Sequence, residues 1–201
     1  MIEAAAAVKP LTRKDLHSLE EYAEMRPQFR TRVMEHKRDR RLAIGPNAAL
    51  YFEDRLTIQY QIQEMLRAER IFEAGGIEEE LAAYNPLIPD GGNLKATFML
   101  EYDDEAERRK QLARLIGVEK RVWLQVAGFD RITPFADEDL SREDEDKTSS
   151  VHFLRFELTP AMSRALQHGV ALSAGIDHEH YRHVVDPVPE NVRQSLVQDL
   201  D

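Results

Sequence analysis

The sequence predicts an α+β protein, and three observations carry that prediction. The first is Phe52–Glu73, FEDRLTIQYQIQEMLRAERIFE, the longest run that reads as one helix. At about 100° per residue, Ile58, Ile62, Met65 and Phe72 share one wide face, and Leu56, Tyr60 and Ile71 fall nearly opposite. A surface helix needs a single apolar stripe, so two stripes predict a helix packed between layers. The second observation is a change of character at Leu94. From there, alternating and helical stretches follow one another as β-α-β-β-α-β, the ferredoxin-like order of two split units around an antiparallel sheet. The third is Asn85–Asn93, NPLIPDGGN, dense in turn formers between the two parts. Leu87 and Ile88 make that loop too apolar for a plain linker, so it is expected to pack down in order.

Taken in order, Thr12 with Asp15 three residues on reads as a helix start, followed by Leu16, Leu19 and Tyr22 at helical spacing. Pro27 is expected to end or kink that helix, because it lacks an N–H and restricts Arg26. A second helix then carries Phe29, Val33 and His36 on one face. Gly45-Pro46-Asn47 is a turn between Arg41–Ile44 and Ala49–Phe52, a small hairpin. The central helix follows, with Gly75-Gly76 expected to stop it, and Glu78–Tyr84 reads as a short helix. Lys95–Tyr102 alternates as a strand and Asp104–Ile116 is helical, stopped by Gly117. Val118–Ala127 alternates again, 128–147 is a long connection, and Ser149–Leu158 is a strand. Thr159-Pro160 opens a helix to His168, Gly169 stops it, and Val170–Ile176 is the last strand.

These elements group as an N-terminal helical part at 11–84, the βαββαβ part at 94–178 and a C-terminal helical tail at 179–201. The two-faced central helix predicts one compact unit over 1–201, with the N-terminal helices covering the sheet face that the split-unit helices leave open.

Composition narrows the function classes. Charged residues make up 32% and the net charge is −10. An acidic chain is a poor general binder of nucleic acid, whose affinity comes from neutralising phosphates. Trp123 and Phe153 are the aromatics that an RNA-binding sheet would have to expose, and that reading ranks last. There is no cysteine, which excludes disulfides, thiolate chemistry and cysteine-held zinc or iron–sulfur clusters. No apolar run approaches the roughly 18 residues of a membrane span, and MIEAAAAVKP lacks the basic start and apolar core of a signal peptide. The expected location is the bacterial cytoplasm. The charge is uneven. Arg26–Arg41 holds seven basic and two acidic residues, a local +5, and Asp137–Asp146 holds seven acidic residues and one Arg, a local −6. Each is either a solvated surface or a patch that selects a protein partner or a second copy in a homodimer.

Candidate chemistry is sparse. Gln59, Gln63 and Arg70 form a polar stripe on the central helix, with Arg67 beside it and Glu64 near. Buried polar groups must be paired, so partners are expected among Lys95, Thr97, Glu101, Arg121, Gln125, Arg155 and Glu157 of the strands. Glu64 and Arg67 are expected to be buried and paired with each other. Such a polar layer is either a structural network or a ligand cleft between the two halves, with Gln63, Glu64, Arg67, Lys95 and His178 as binding candidates. Asp177-His-Glu-His-Tyr-Arg-His183 places His178, His180 and His183 close in sequence, but the spacing matches no strong metal signature. No bound metal and no cofactor are expected. His152 reads as a satisfied core histidine. No carboxylate pair has the spacing of an acid–base couple, and neither a phosphate-binding glycine loop nor a Gly-x-Ser-x-Gly elbow is present.

The blocks LTRKDLHSLEEY, FEDRLTIQYQIQEMLRAERIFE, YNPLIPDGGNLKATFMLEY, TSSVHFLRFELTP and GIDHEHYR together resemble an uncharacterised bacterial family, domain of unknown function 3501. The resemblance spans nearly the whole chain. It implies genes beside those for rubrerythrin and a cysteine-rich iron–sulfur oxidoreductase. It therefore implies an accessory or partner protein of a peroxide-reducing or electron-transfer system, with any cluster belonging to the partner. It carries over no catalytic residue. Asp177, His178 and Tyr181 match the family pattern whereas His180 and His183 do not, which singles out His178.

Overall fold

The computed structural model describes residues 9–138 and 147–201. A short 3-10 turn at Arg13–Asp15 precedes α1 (Leu19–Arg38), β1 (Arg41–Ala43), β2 (Ala48–Phe52), α2 (Arg55–Glu69) and α3 (Ala74–Tyr84). Then come β3 (Asn93–Leu100), α4 (Glu105–Arg114), β4 (Val122–Val126), β5 (Phe135–Ala136), β6 (Val151–Glu157), α5 (Pro160–Gln167), β7 (Leu172–His178), β8 (Tyr181–Val185) and α6 (Glu190–Val197). The α+β class holds, but the sheet is not the ferredoxin-like one. The strands divide between a five-stranded sheet, β1-β2-β3-β6-β5, and a three-stranded sheet, β4-β7-β8. The first and third strands of the expected βαββαβ unit pair with each other, and so do the second and fourth, in different sheets. The predicted hairpin is β1–β2, and it extends the larger sheet through β2–β3 pairing, with Leu50 opposite Phe98.

Both sheets turn an apolar face to one core. Leu50, Phe52, Ala96, Phe98, Leu154 and Phe156 from the larger sheet meet Val122, Leu124, Val126, Ala174 and Ile176 from the smaller. Alternation in β3, β4 and β6 puts every second residue on that face. Leu112, Met162, Leu166, Val192 and Leu196 bring α4, α5 and α6 into the same core. What the alternation could not reveal is that the second and fourth strands pack across this core as their own sheet, because period-2 burial is the same for either topology.

Four local expectations are corrected. Thr12 and Asp15 do form a capping box, but on the 3-10 turn only; Ser18 with Glu21 caps α1. Pro27 neither ends nor divides α1, which is one helix of 20 residues. Pro27 and the residue one turn earlier, Ala23, are both exposed, so the carbonyl left without its donor faces water. The central helix stops at Arg70, which takes the left-handed conformation at φ 55°, and Gly75-Gly76 instead lies inside α3. The tail beyond His178 is not wholly helical, since Tyr181–Val185 is strand β8, folded back on β7. Its Tyr-Arg-His-Val-Val sequence is rich in aromatic and β-branched residues that favour a pleated surface.

α2 is two-faced, as its periodicity predicts, but the faces do not run past its end at Glu69: Phe72 is exposed, and Ile71 packs on the Ile58 side instead of the Tyr60 side. Ile58, Ile62 and Leu66 pack with Leu11, Leu81 and Ile88, whereas Tyr60 packs with Tyr22, Phe29 and Val33 of α1. The Asn85–Asn93 loop packs down, with Ile88 buried and the Asn85 side chain bonded to both the N–H and the carbonyl of Leu11. No helix among the described residues is long and apolar enough to cross a membrane.

Candidate functional site between the helical layer and the sheet

The outward face of the larger sheet presents Lys95, Thr97, Phe153 and Arg155, the residues between the core-facing ones. α2, α3 and the loop after α3 lie over this face and leave a cavity of about 540 Å³. Its helical wall is Met65, Glu80, Ala82, Ala83, Tyr84, Pro86 and Leu87; its floor is Lys95, Ala96, Phe153, Leu154 and Arg155, with Glu53 and Glu138 at its margins. The walls are mostly apolar, with a few charged groups between them, the usual make-up of a small-molecule site.

The charged groups divide into two kinds. Arg155 is already ion-paired. It forks onto Glu138 at 2.8 and 2.7 Å, also bonds Glu157, and lies over the Phe135 ring at 4.4 Å. Its partners raise the Arg155 pKa further and lower that of Glu138. Lys95 gives two of its three N–H bonds to the carbonyls of Pro86 and Ile88, at 2.7 and 2.9 Å, which ties the post-α3 loop to the sheet. Burial pushes its pKa down.

Glu53 and Glu80 differ. Glu53 immediately precedes Asp54, the N-cap of α2. Its two carboxylate oxygens accept from the hydroxyls of Thr97 (2.7 Å) and Thr57 (2.6 Å). Its backbone N–H donates to the Lys95 carbonyl and its carbonyl accepts from Arg40, so the residue is fixed at both ends. Glu80, on α3, has no hydrogen-bond or ion-pair partner among the described residues. Burial raises its pKa, and Glu69 and Glu79 raise it further. Neither Glu53 nor Glu80 has a cationic partner among the described residues.

Only Lys95 of the sequence-predicted candidates lines this cavity. Gln63 is fully buried, but its amide accepts from the His17 N–H (2.6 Å) and donates to the His17 carbonyl. Gln59 likewise donates to the Asp15 carbonyl. The polar stripe of α2 therefore holds the N-terminal segment, whose extended backbone offers unpaired groups, rather than facing the sheet. Glu64 does not pair with Arg67. It accepts from the Tyr22 hydroxyl (2.6 Å) and from Arg26 through two bonds of 2.7 Å, and these hold its pKa at about 2, with Arg26 the largest cause. Arg67 is exposed and reaches Glu64 only through its field.

The rings of His178 and His180 meet at 5.8 Å, but His183 does not join them. His178 accepts at Nδ1 from the His180 N–H, which makes Nε2 the protonated nitrogen that donates to the Ile116 carbonyl (3.1 Å). Both ring nitrogens are committed, so His178 is a fixed residue of the β7–β8 hairpin. His180 is exposed in the turn, and His183 lies against the Tyr181 ring on β8. Among the described residues no group of three or more His, Asp or Glu is placed to hold a metal.

His152, as predicted, is a satisfied core residue. Nδ1 meets Asp137 at 2.6 Å and Nε2 meets the Thr148 hydroxyl at 2.9 Å. The Asp–His–Thr string resembles a hydrolytic triad in connectivity, but His152 is 0% and Thr148 1% exposed, so no substrate can reach the hydroxyl. It joins the two sides of the connection between β5 and β6. The acidic run of that connection lies, from residue 139 to 146, outside the described residues.

Sequence reasoning missed Glu53, Glu80, Tyr84 and Met65 of the cavity. The available signal was the apolar Pro-Leu-Ile loop after α3, which had to fold back over the strand that follows it. Trp123 and Phe153, the aromatics considered for RNA, sit on different sheets, and Trp123 is buried under Arg131 at 3.8 Å.

Fold and cavity together define an α+β protein with a ligand-sized cleft between a helical layer and the outer face of a five-stranded sheet. The chain belongs to the family described as Protein of unknown function (DUF3501), whose model matches residues 10–200. It is similar to a novel protein of unknown function from Burkholderia pseudomallei K96243, seen in a crystal structure at 1.90 Å resolution. The two are 50% identical with a TM-score of 0.91, over 96% of this chain and 100% of that one. No functionally curated protein matches the sequence.

Proposed function

We propose that the protein binds a small, largely apolar molecule in the cleft between α2–α3 and the β3–β6 face. The observation that carries this reading is Glu53. Its carboxylate is oriented by two threonine hydroxyls and anchored through its backbone, yet it has no counter-ion among the described residues, at the margin of a mostly apolar cavity of about 540 Å³. Elsewhere the fold gives its buried or half-buried carboxylates cations, as at Glu64 and Asp199. The cleft is tested by methyl NMR of Met65 during a fragment screen, with Ala83→Phe as a variant that fills it. Expected are hits that shift Met65 in the parent and not in the variant. Hits that leave Met65 unmoved, or that are indifferent to Ala83→Phe, contradict the reading.

A second reading keeps the accessory role that the family resemblance implies, with rubrerythrin or an iron–sulfur oxidoreductase as partner, or a second copy of this chain. It is supported by Arg30, Arg32 and Arg38, which are exposed on α1. Against it, Arg26, Arg40 and Arg41 of the same basic run are spent on internal bonds to Glu64, Asp199 and Glu101. Charge reversal at Arg30, Arg32 and Arg38 should slow association with the suspected partners at low salt. Co-purification that ignores these substitutions removes the support.

A further inference from the structure

The charges around the cleft select the kind of molecule it holds. Of its cations among the described residues, Arg155 gives three of its five N–H groups to Glu138 and Glu157, whose carboxylates more than match its charge, and Lys95 is committed twice to backbone carbonyls. Of its anions among the described residues, Glu138 is neutralised by Arg155, which leaves Glu53 and Glu80. Glu53 can be unpaired in the free protein because two hydroxyls donate to it and it sits beside the positive end of α2. Those interactions use only one acceptor direction on each oxygen, and an ionised carboxylate offers about four in all. Tyr84, Phe153 and Met65 add aromatic and thioether surface to the cavity that Glu53 and Glu80 also line, which favours an organic cation over an inorganic one.

Resting on the cleft as a ligand site, we infer that its ligand is an organic cation, an ammonium group on an apolar planar body, with Glu53 and Glu80 receiving the charge and the Tyr84–Phe153–Met65 wall receiving the body. No bond is made or broken in this step. An anionic ligand is disfavoured because it would meet two uncompensated carboxylates and one ammonium already held by carbonyls.

The test uses three probes with one body and different charge: tryptamine, tryptophol and indolepropionate. Each is titrated calorimetrically into the full chain at neutral pH, with the Met65 methyl signal locating the site. Expected is tightest binding for tryptamine, at least about ten-fold over tryptophol, as one charge-assisted hydrogen bond supplies, with indolepropionate weakest. Glu53→Gln and Glu80→Gln should each erode the preference for tryptamine over tryptophol while leaving tryptophol nearly unchanged. Glu80 makes no side-chain hydrogen bond or ion pair among the described residues, so Glu80→Gln carries the test on its own. If tryptophol or indolepropionate binds the cleft as well as tryptamine, the cationic inference is overturned and the cleft stands. If no probe shifts Met65, the cleft itself fails as a site, and the inference with it.

Discussion

The carboxylates of the α1–α2–α6 junction, which are largely buried, and those of the cleft, which are half-buried, live under opposite rules. At the junction, Arg40 is 2% exposed and bonds the carbonyls of Phe52 and Glu53, Ser195 and Asp199, with Asp54 at 3.4 Å and His36 on Asp54. Every charge there has a partner, and the partners come from two places, the β2–α2 junction at residues 52–54 and the C-terminal helix and its end at Ser195 and Asp199, so the cluster locks the C-terminal helix to the start of α2. In the cleft, Glu53 and Glu80 have no cationic partner among the described residues, while Arg155 is paired with Glu138 and Glu157 and Lys95 is held by two carbonyls. Removing an oriented, unpaired charge should cost the fold little; removing one member of a saturated cluster should cost it much. The comparison is the physical basis for separating what builds this protein from what it can offer to a ligand.

The largest effect is expected at Arg40. Arg40→Met deletes the guanidinium and strands Asp199, so unfolding in urea should show a loss of about 3–5 kcal/mol. Arg30→Ala, on the exposed side of α1, should stay within about 0.5 kcal/mol. Next is Glu64→Ala, which leaves the fully buried Tyr22 hydroxyl without its acceptor at a cost of about 1–3 kcal/mol. Arg67→Ala should be near neutral. Lys95→Met follows at about 1–2 kcal/mol, because it frees the carbonyls of Pro86 and Ile88 and loosens the loop over the cleft. It should also alter proteolysis at that loop before it alters the melting temperature.

Dependence on pH sharpens the same contrast. Arg26 and Tyr22 depress Glu64 to about 2, below its unfolded value of 4.5. Its stabilisation is therefore present above pH 4.5 and lost as pH falls towards 2. Asp199 goes the other way. Burial outweighs Arg40 and raises its carboxyl from 3.8 to about 6, so its contribution is present below pH 3.8 and lost as pH rises through 6. Urea unfolding across this range should show Glu64→Gln flattening the acid limb and Asp199→Asn flattening the change near pH 6. A parent-like pH profile in Asp199→Asn would mean that Arg40 dominates that pair after all.

The secondary elements were largely legible because local rules fix them. Ser18, Asp54, Asp104 and Thr159 cap helices through their own side chains, and the alternation of β3 and β6 states which residues face inward. The pairing of strands was not legible, since Val122–Val126 has the same pattern whether it joins β6 or packs across the core against it. The two-faced α2 was legible, but its polar stripe was assigned to the wrong neighbour. Gln59 and Gln63 could as well have bonded strand side chains as the backbone of residues 15–17, and no periodicity distinguishes them. Of the cleft, Lys95 was found through its strand. Glu53 and Glu80 were missed because each sits at the end of a local pattern, one before a cap and one within a run of three glutamates. Only the fold brings them to one cavity.

Urea unfolding of Glu53→Gln/Glu80→Gln beside Glu64→Ala, at neutral pH and without ligand, tests the separation of structural from available charge most directly. Expected is a double variant within about 1 kcal/mol of the parent or more stable than it, because no ion pair is broken, against a loss of about 1–3 kcal/mol in Glu64→Ala. A double variant that loses as much as Glu64→Ala would contradict it, and would place Glu53 and Glu80 among the residues that hold the fold together.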